Sequence, residues 1–335
     1  MRVLEPMTLK SHELINRFIR SATCEYMADE KGVPEDRFME LYSQLASGGI
    51  GIVISGYAYV MPNGKSNPGQ SAIYSDELIP AWKKVTRVFQ DSPSLFLLQI
   101  VHGGRQVRPK HHQGPIWAPS AVPDHAYKTR PREMTVAQIE EVGEAFIQAA
   151  DRAKQAGFDG VQLHVAHGYL LSQVISPYTN RRNDAYGGDQ KKRTRLVVDI
   201  INGIKKRVGD EFIVSAKING EDFVPGGLKP EQAVASAQLM KNAGLDLIEV
   251  SGGMAESRLG VVRRDIKSID QEGYFRQHSR MICRKVKIPT AVVGGFRTLS
   301  VMEQTISSGE ADFISLCRPF IREPQLVLHF EKAAQ

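Results

Sequence analysis

Two histidines three residues apart, with a tyrosine two residues after the second, stand in the stretch HVAHGYLL at 164–171. Imidazoles ligate metals, exchange protons near neutral pH, or sit satisfied in a packed loop. A zinc-protease helix places histidines at i and i+4 with glutamate after the first. Here the interval is three, residue 165 is Val, and no obvious carboxylate completes a three-ligand set, so no metal site is expected. Two readings stay open. Both imidazoles are satisfied within a loop, or His164 and His167 hold a carbonyl or phenolate oxygen while Tyr169 offers a proton. A phenol of pKa about 10 stays protonated at neutral pH and can act as a general acid.

Other residues invite chemistry more weakly. Cys24 is either an inert buried thiol or a hydrogen-bonding group beside a cofactor. Lys217 stands among Ile213, Val214 and Ile218, so it is either a solvated charge or a cation at the end of a buried strand. Gly294-Gly295 and Arg318, with Thr298 and Ser300 between them, suit a phosphate held by backbone N–H groups and a cation. Two glycines in a tight turn and an exposed arginine explain the same residues without a ligand. No G-x-G-x-x-G follows a strand and opens a helix, so a Rossmann nicotinamide site is not indicated; Gly48-Gly49-Ile50-Gly51 precedes a strand instead.

The elements that must position these groups are eight short apolar runs: FIRSAT (18–23), GIVIS (51–55), LFLLQI (95–100), DGVQLH (159–164), FIVSAKI (212–218), DLIEVS (246–251), TAVVGG (290–295) and DFISLC (312–317). Near-continuous apolarity suits strands covered on both faces. Helix signals lie between them. Thr135 with Gln138 forms a capping box before Ile139, Val142, Phe146 and Ala150, and Gly157 ends that helix. Pro230 opens another helix that Gly244 closes, and 34–45 reads the same way with Gly48 beyond it. The pattern predicts an α/β fold, a (β/α)8 TIM barrel over residues 1–335 as a single domain, with long loops at 103–134 and 165–190 after strands 3 and 4. Chemistry in such barrels lies at the C-terminal strand ends, where Thr23-Cys24, Ser55-Gly56, Gln99, His102, His164, His167, Lys217, Ser251, Gly294-Gly295 and Cys317-Arg318 all fall.

Composition sets outer bounds. The chain has 335 residues, 42% hydrophobic and 24% charged, with three widely spaced cysteines that imply no disulfide framework. Its early charged residues exclude a signal-peptide core, and no apolar run nears the roughly 18 residues of a membrane span, so a cytoplasmic chain is expected. Net charge is +6. The basic residues are dispersed and not interleaved with aromatics, so nucleic acid is not an expected partner.

The stretch HVAHGYLLSQVISPYTNRRNDAYGG (164–188) closely resembles the signature of old yellow enzyme-like flavoproteins, FMN-containing (β/α)8 barrels of the NADH:flavin oxidoreductase type. EPMTLKSHELINRFIRSAT near the start, QIVHGGRQ (99–106), SAKINGEDF (215–223), VVGG and LCRPF extend the match in order along the chain. The resemblance implies a ping-pong cycle. NADH or NADPH reduces FMN, an activated alkene replaces the nicotinamide, hydride passes from flavin N5 to the β-carbon, and an acid protonates the α-carbon. Carried over by position, Ser21, Ala22, Thr23 and Cys24 line the flavin, Gly56 and Gln99 contact the isoalloxazine, and Lys217 neutralises charge near N1–O2. Gly294 and Gly295 lie on the phosphate side, where Cys317 and Arg318 hold the phosphate. Tyr26, His164 and His167 bind the substrate oxygen and Tyr169 donates the proton. Cys24 and Tyr26 resemble the thermophilic-type branch. Lys217 departs from the usual arginine, Gly56 from alanine or threonine, Lys191-Lys192 from Glu-Asn and Cys317 from glycine. No arginine follows Arg322 to reach a neighbouring subunit in a homo-oligomer, and a chain ending at 335 leaves no room for added iron–sulfur or second-flavin domains. The rival expectations are a non-redox phosphate-binding barrel such as an isomerase or aldolase, and a flavin-binding module without turnover.

Overall fold

The structure, a computed structural model, describes residues 1–112, 114–257, 259–263 and 265–334. Eight parallel strands form its centre: β1 (Phe18–Arg20), β2 (Ile52–Ile54), β3 (Leu95–Val101), β4 (Gly160–Val165), β5 (Ile213–Asn219), β6 (Leu247–Ser251), β7 (Thr290–Val292) and β8 (Phe313–Leu316). Each pairs with its neighbours in sequence, and β8 pairs back to β1, so the sheet closes into the predicted (β/α)8 barrel. Closure leaves the eight strands no free edge.

Some strands end before their apolar runs do, whereas β3, β4 and β5 continue one residue past theirs, to Val101, Val165 and Asn219. β1 stops at Arg20, β2 at Ile54 and β7 at Val292. Gly294 and Gly295 have φ of 151° and 73°, which a strand cannot continue. The segments beyond these ends are therefore irregular backbone, free to turn across the barrel mouth.

Side chains two apart on one strand face the same side, and this period shows how the interior changes with height. Leu97 is followed by Gln99, Ile213 by Ser215 and Lys217, Leu247 by Glu249 and Ser251, and Phe313 by Ser315. The lower members form one apolar cluster with Ile19, Ile52 and Ile54. A short antiparallel hairpin, Met7–Leu9 with His12–Leu14, plugs this end through Leu9 and Leu14. Above the apolar layer the interior is polar yet still buried. The barrel is apolar at its base and carries hydrogen-bonding groups toward its C-terminal end.

The helical shell buries a separate core against the outer faces of the strands. Its members include α1 (Asp36–Ala46), α2 (Ile79–Thr86), α3 (Val136–Gln155), α4 (Gln190–Val208), α5 (Pro230–Asn242), α6 (Arg276–Val286), α7 (Leu299–Ser307) and α8 (Leu326–Ala334). The capping box of α3 is present: Thr135 Oγ1 accepts the Gln138 N–H at 3.2 Å and Gln138 Oε1 accepts the Thr135 N–H at 2.9 Å. Such a cap contributes about 1 kcal/mol. Helix α1 begins at Asp36, later than expected from Pro34, because Glu35 is extended and Pro34 forms a bridge with Ala28. The long segment after β3 contains a two-residue pairing of Trp117–Ala118 with Arg132–Glu133, and the one after β4 contains a short helix, Leu170–Ile175.

Candidate active site

His164 lies on β4, one residue before its end, and is buried. The chain then turns through two left-handed residues, His167 at φ 63° and Gly168 at φ 82°. The positive φ of Gly168 favours glycine, and a Cβ there, 2.1 Å from Gln106 Nε2, would push that amide aside. The turn brings His167 back beside His164, with ring centroids 5.1 Å apart and planes near perpendicular. Asn219, at the end of β5, accepts the His167 backbone N–H at 3.1 Å, and Ser251, at the end of β6, shares a 2.7 Å hydrogen bond with His167 Nε2. Tyr169 follows as the N-cap of the Leu170–Ile175 helix, its ring 4.7 Å from that of His164. The pattern HVAHGY thus places three side chains around one point because a strand end, a left-handed turn and a helix start follow one another.

Burial sets their protonation. His164 is held well below the usual imidazole range, first by burial and then by the charge of Lys217. His167 is lowered by burial, by His164 and by Lys217. Burial also pushes the Tyr169 phenol up from its ordinary value, with Tyr127 adding to the shift. The pair therefore presents neutral imidazoles and Tyr169 a neutral phenol. His164 Nδ1 is buried and without a hydrogen-bond partner, an unmet polar atom that a ligand could satisfy.

Tyr57, just beyond β2, belongs to the same cluster. The Tyr169 hydroxyl donates to the Tyr57 oxygen at 3.3 Å, and Asn67 Nδ2 donates to the same oxygen at 2.9 Å. Cys24 packs against this aromatic group, and burial followed by the charge of Glu25 pushes its thiol up to about 12. Ala22 and Thr23 lie between the buried Ser21 and Cys24 on the segment leaving β1. Tyr26 lies beyond them, 56% exposed and with φ 56°, at the rim.

Lys217 projects into the polar layer. Its Nζ donates to Ser21 Oγ at 2.7 Å and lies 3.4 Å from Glu249 Oε1. Gln99 Nε2 donates to Gln162 Oε1 at 2.7 Å. Gly56, just beyond β2, makes room for Glu25. Its N–H donates to Glu25 at 2.5 Å and its carbonyl accepts from Ser55, while the Tyr42 hydroxyl also donates to Glu25. A Cβ at Gly56 would lie 1.9 Å from Glu25 Oε2, so the departure from alanine or threonine makes room for Glu25.

On the opposite side, Arg318 lines a cavity of about 660 Å³ together with Lys267, Arg297, Asp265, Val262 and Ile266. Gly294 and Gly295 lie against Gly273, Tyr274 and Ile266, so closely that a Cβ at Gly295 would stand 2.1 Å from Ile266. Cys317 precedes Arg318, which begins a short helix through Arg322. These features fit a planar aromatic cofactor carrying a phosphate: three cations and a glycine pair at one side of the mouth, amide and ammonium groups beneath its centre, and the histidine cluster with its unmet nitrogen at the other. Among the described residues no group of three or more His, Cys, Asp or Glu side chains is arranged to hold a metal ion. The residues that sequence reasoning passed over are Tyr57, Asn67, Gln162, Ser251 as the partner of His167, and Glu249. The inward period on β4 and β6 is the signal that exposes Gln162, Glu249 and Ser251.

A closed (β/α)8 barrel with cationic, amide and imidazole groups at its C-terminal end is an arrangement that flavin-dependent oxidoreductase barrels share with other phosphate-binding barrels. The model of the NADH:flavin oxidoreductase / NADH oxidase family matches residues 2–335, and the chain belongs to this family. It is 33% identical over 334 residues to an NADPH dehydrogenase of Bacillus velezensis, covering 99% of this chain and 94% of that protein. It is 34% identical over 313 residues to an NADH oxidase of Thermoanaerobacter brockii, covering 92% of this chain but only 48% of that longer protein. Among solved structures, a 2-naphthoyl-CoA reductase complex superposes with a TM-score of 0.93 at 28% identity, over 99% of this chain and 52% of that one. An old yellow enzyme homologue from Zymomonas mobilis superposes with a TM-score of 0.85 at 26% identity, over 100% of this chain and 94% of that one. FMN is the family's cofactor, and NADH or NADPH its reductant. No helix among the described residues is long and apolar enough to cross a membrane.

Proposed function

We propose that the protein is an ene-reductase, transferring a hydride from NADH or NADPH to an activated carbon–carbon double bond through a ping-pong cycle. FMN, when bound, supplies the hydride carrier; Ser21, Ala22, Thr23, Cys24, Gln99 and Lys217 would hold its ring system and Gly294, Gly295, Cys317 and Arg318 its phosphate. The observation that carries the proposal is the neutral trio His164, His167 and Tyr169 converging at the end of β4.

Neutral imidazoles donate hydrogen bonds without presenting a full charge. Donated to a substrate carbonyl, they draw electrons from the conjugated alkene and stabilise the oxyanion that develops as its β-carbon gains hydride. Tyr169 keeps its proton until the α-carbon becomes basic. Tyr26 at the rim would contact the bound substrate from solvent's side. The 2-naphthoyl-CoA reductase neighbour favours a second class of substrate for the same site, an unsaturated or aromatic acyl thioester whose carbonyl occupies the place of the enone oxygen.

The deciding experiment separates the two half-reactions by anaerobic stopped flow. Nicotinamide should bleach the flavin, and cyclohexenone should restore its colour. Tyr169→Phe should leave the first step near wild type and slow the second by about 10²-fold, the lower range for a general acid. Equal slowing of both steps would remove Tyr169 as donor, and a flavin that stays bleached with enones and enoyl thioesters alike would remove alkene reduction.

A further inference from the structure

The polar layer beneath the mouth contains a carboxylate that the proposed reaction does not use. Glu249 sits mid-strand on β6, fully buried, in register with Lys217 on β5. One of its oxygens accepts from Gln162 Nε2 at 2.9 Å; the other makes no hydrogen bond and faces the Lys217 ammonium at 3.4 Å. Gln162 in turn stands in register with Gln99 on β3 and accepts its Nε2 at 2.7 Å. A continuous row therefore runs Gln99, Gln162, Glu249, Lys217, Ser21 across four of the eight strands and the segment leaving β1.

A carboxylate inside a barrel is costly unless its partners need it. Two adjacent glutamine amides can satisfy each other in either sense, because each carries both a donor and an acceptor. The acceptor-only carboxylate at one end selects one sense. Gln162 must turn its NH₂ toward Glu249, so its carbonyl faces Gln99, and Gln99 commits one N–H to that carbonyl. The Gln99 carbonyl is thereby left for whatever lies at the mouth. Glu249 also faces the only cation in the row. Arginine at position 217 could bond a carboxylate and a cofactor at once through its fork; lysine presents a single point charge, which Ser21 and Glu249 share.

From this juxtaposition we infer that Glu249 is a positioning residue for the flavin: it attenuates the Lys217 charge beneath the ring system and fixes which end of the Gln99 amide faces it. The inference rests on the placement of Gln99 and Lys217 against FMN, and not on the identity of the hydride acceptor.

The test uses the FMN-loaded protein and no alkene, so failure of ene-reduction and failure of this inference are separable. Glu249→Gln keeps the shape and removes the charge. Its two-electron midpoint potential, measured by anaerobic dye equilibration, should rise because an uncompensated ammonium favours the electron-rich flavin. The expected shift is at least tenfold in the reduction equilibrium, about 30 mV for a two-electron couple. In a Lys217→Met background the same substitution should move the equilibrium less than twofold. Gln162→Leu breaks the amide row without touching the ion pair and should weaken FMN binding several-fold at an unchanged potential. If Glu249→Gln does not fold, Glu249→Asp draws the carboxylate back from Lys217 and should raise the potential by at least a twofold equilibrium shift. A wild-type potential in the folded Glu249 variant overturns the charge role. A wild-type FMN dissociation constant in Gln162→Leu overturns the orienting role.

Discussion

Protonation at this site is set by burial, and the consequences fall on single residues. Tyr169 donates to Tyr57, whose oxygen also accepts from Asn67, so Tyr57 orients the proposed acid and holds its phenol hydrogen bond. Tyr57→Phe removes one neutral hydrogen bond, worth about 1 kcal/mol. Alkene reduction should slow by roughly 3–10-fold on that basis, well short of the loss in Tyr169→Phe. Single-turnover rates of reoxidation check the order, and a Tyr57→Phe variant as slow as Tyr169→Phe would transfer the donor role to Tyr57. Cys24 obeys the same physics. A thiol raised to about 12 is neutral throughout the physiological range, so in the FMN-free protein Cys24 should resist iodoacetamide even at pH 9, where an unperturbed cysteine is mostly thiolate. Peptide mapping reads this site by site; rapid alkylation of Cys24 at pH 8 would mean that its thiolate is stabilised.

At the scale of elements, the loops above the barrel are fastened by one buried cation. Arg105, in the segment after β3, pairs with Asp124 in the same segment at 3.6 Å and with Glu256 after β6, while its guanidinium lies 5.4 Å over the ring of Tyr178 after β4. Arg105→Met would leave two carboxylates without their cation and should cost about 3–5 kcal/mol. Urea unfolding should show that loss, and limited proteolysis should open first within 103–134; an unchanged digestion pattern would mean the loop is held elsewhere. This latch also marks where sequence reasoning stops. The eight strands are legible because apolarity along a strand is a local pattern, and the capping box of α3 because its two residues are three apart. The reach from Arg105 to Glu256 spans 151 positions and has no local signature. Glu249 and Gln162 lie inside apolar runs, and the run hides them until the inward period of each strand is followed. The strand-end residues were visible, but the Tyr57–Tyr169 contact joins chain segments 112 residues apart and needed the closed barrel to bring them together.

For the molecule as a whole, the polar mouth has a cost that appears as pH dependence. Burial lowers four imidazoles: His102 to about 3, His164 and His167 well below the ordinary range, and His112. Unfolding frees them to bind protons below about pH 6.5. Where the unfolded chain binds more protons than the folded one, stability rises with pH. Their contribution is therefore intact above about 6.5 and is lost as pH falls toward the depressed folded values, each group adding up to about 1.4 kcal/mol per pH unit. Asp124, Asp159 and Asp222 run the other way, since burial raises them and the folded state takes up their protons first. Their compensation begins nearer the carboxylate range, so the interval from pH 7 to 5.5 isolates the histidines best. Between those limits the urea midpoint of the FMN-free protein should fall steeply. His102→Gln should flatten that fall, by up to about a quarter if the four lowered imidazoles contribute equally. Bound FMN should lift stability at each pH by mass action. A slope that His102→Gln leaves unchanged would mean that His102 is already protonated in the fold; a midpoint independent of pH over this interval would mean the same of His164 and His167, and the neutral-donor account of the mouth would fail with it.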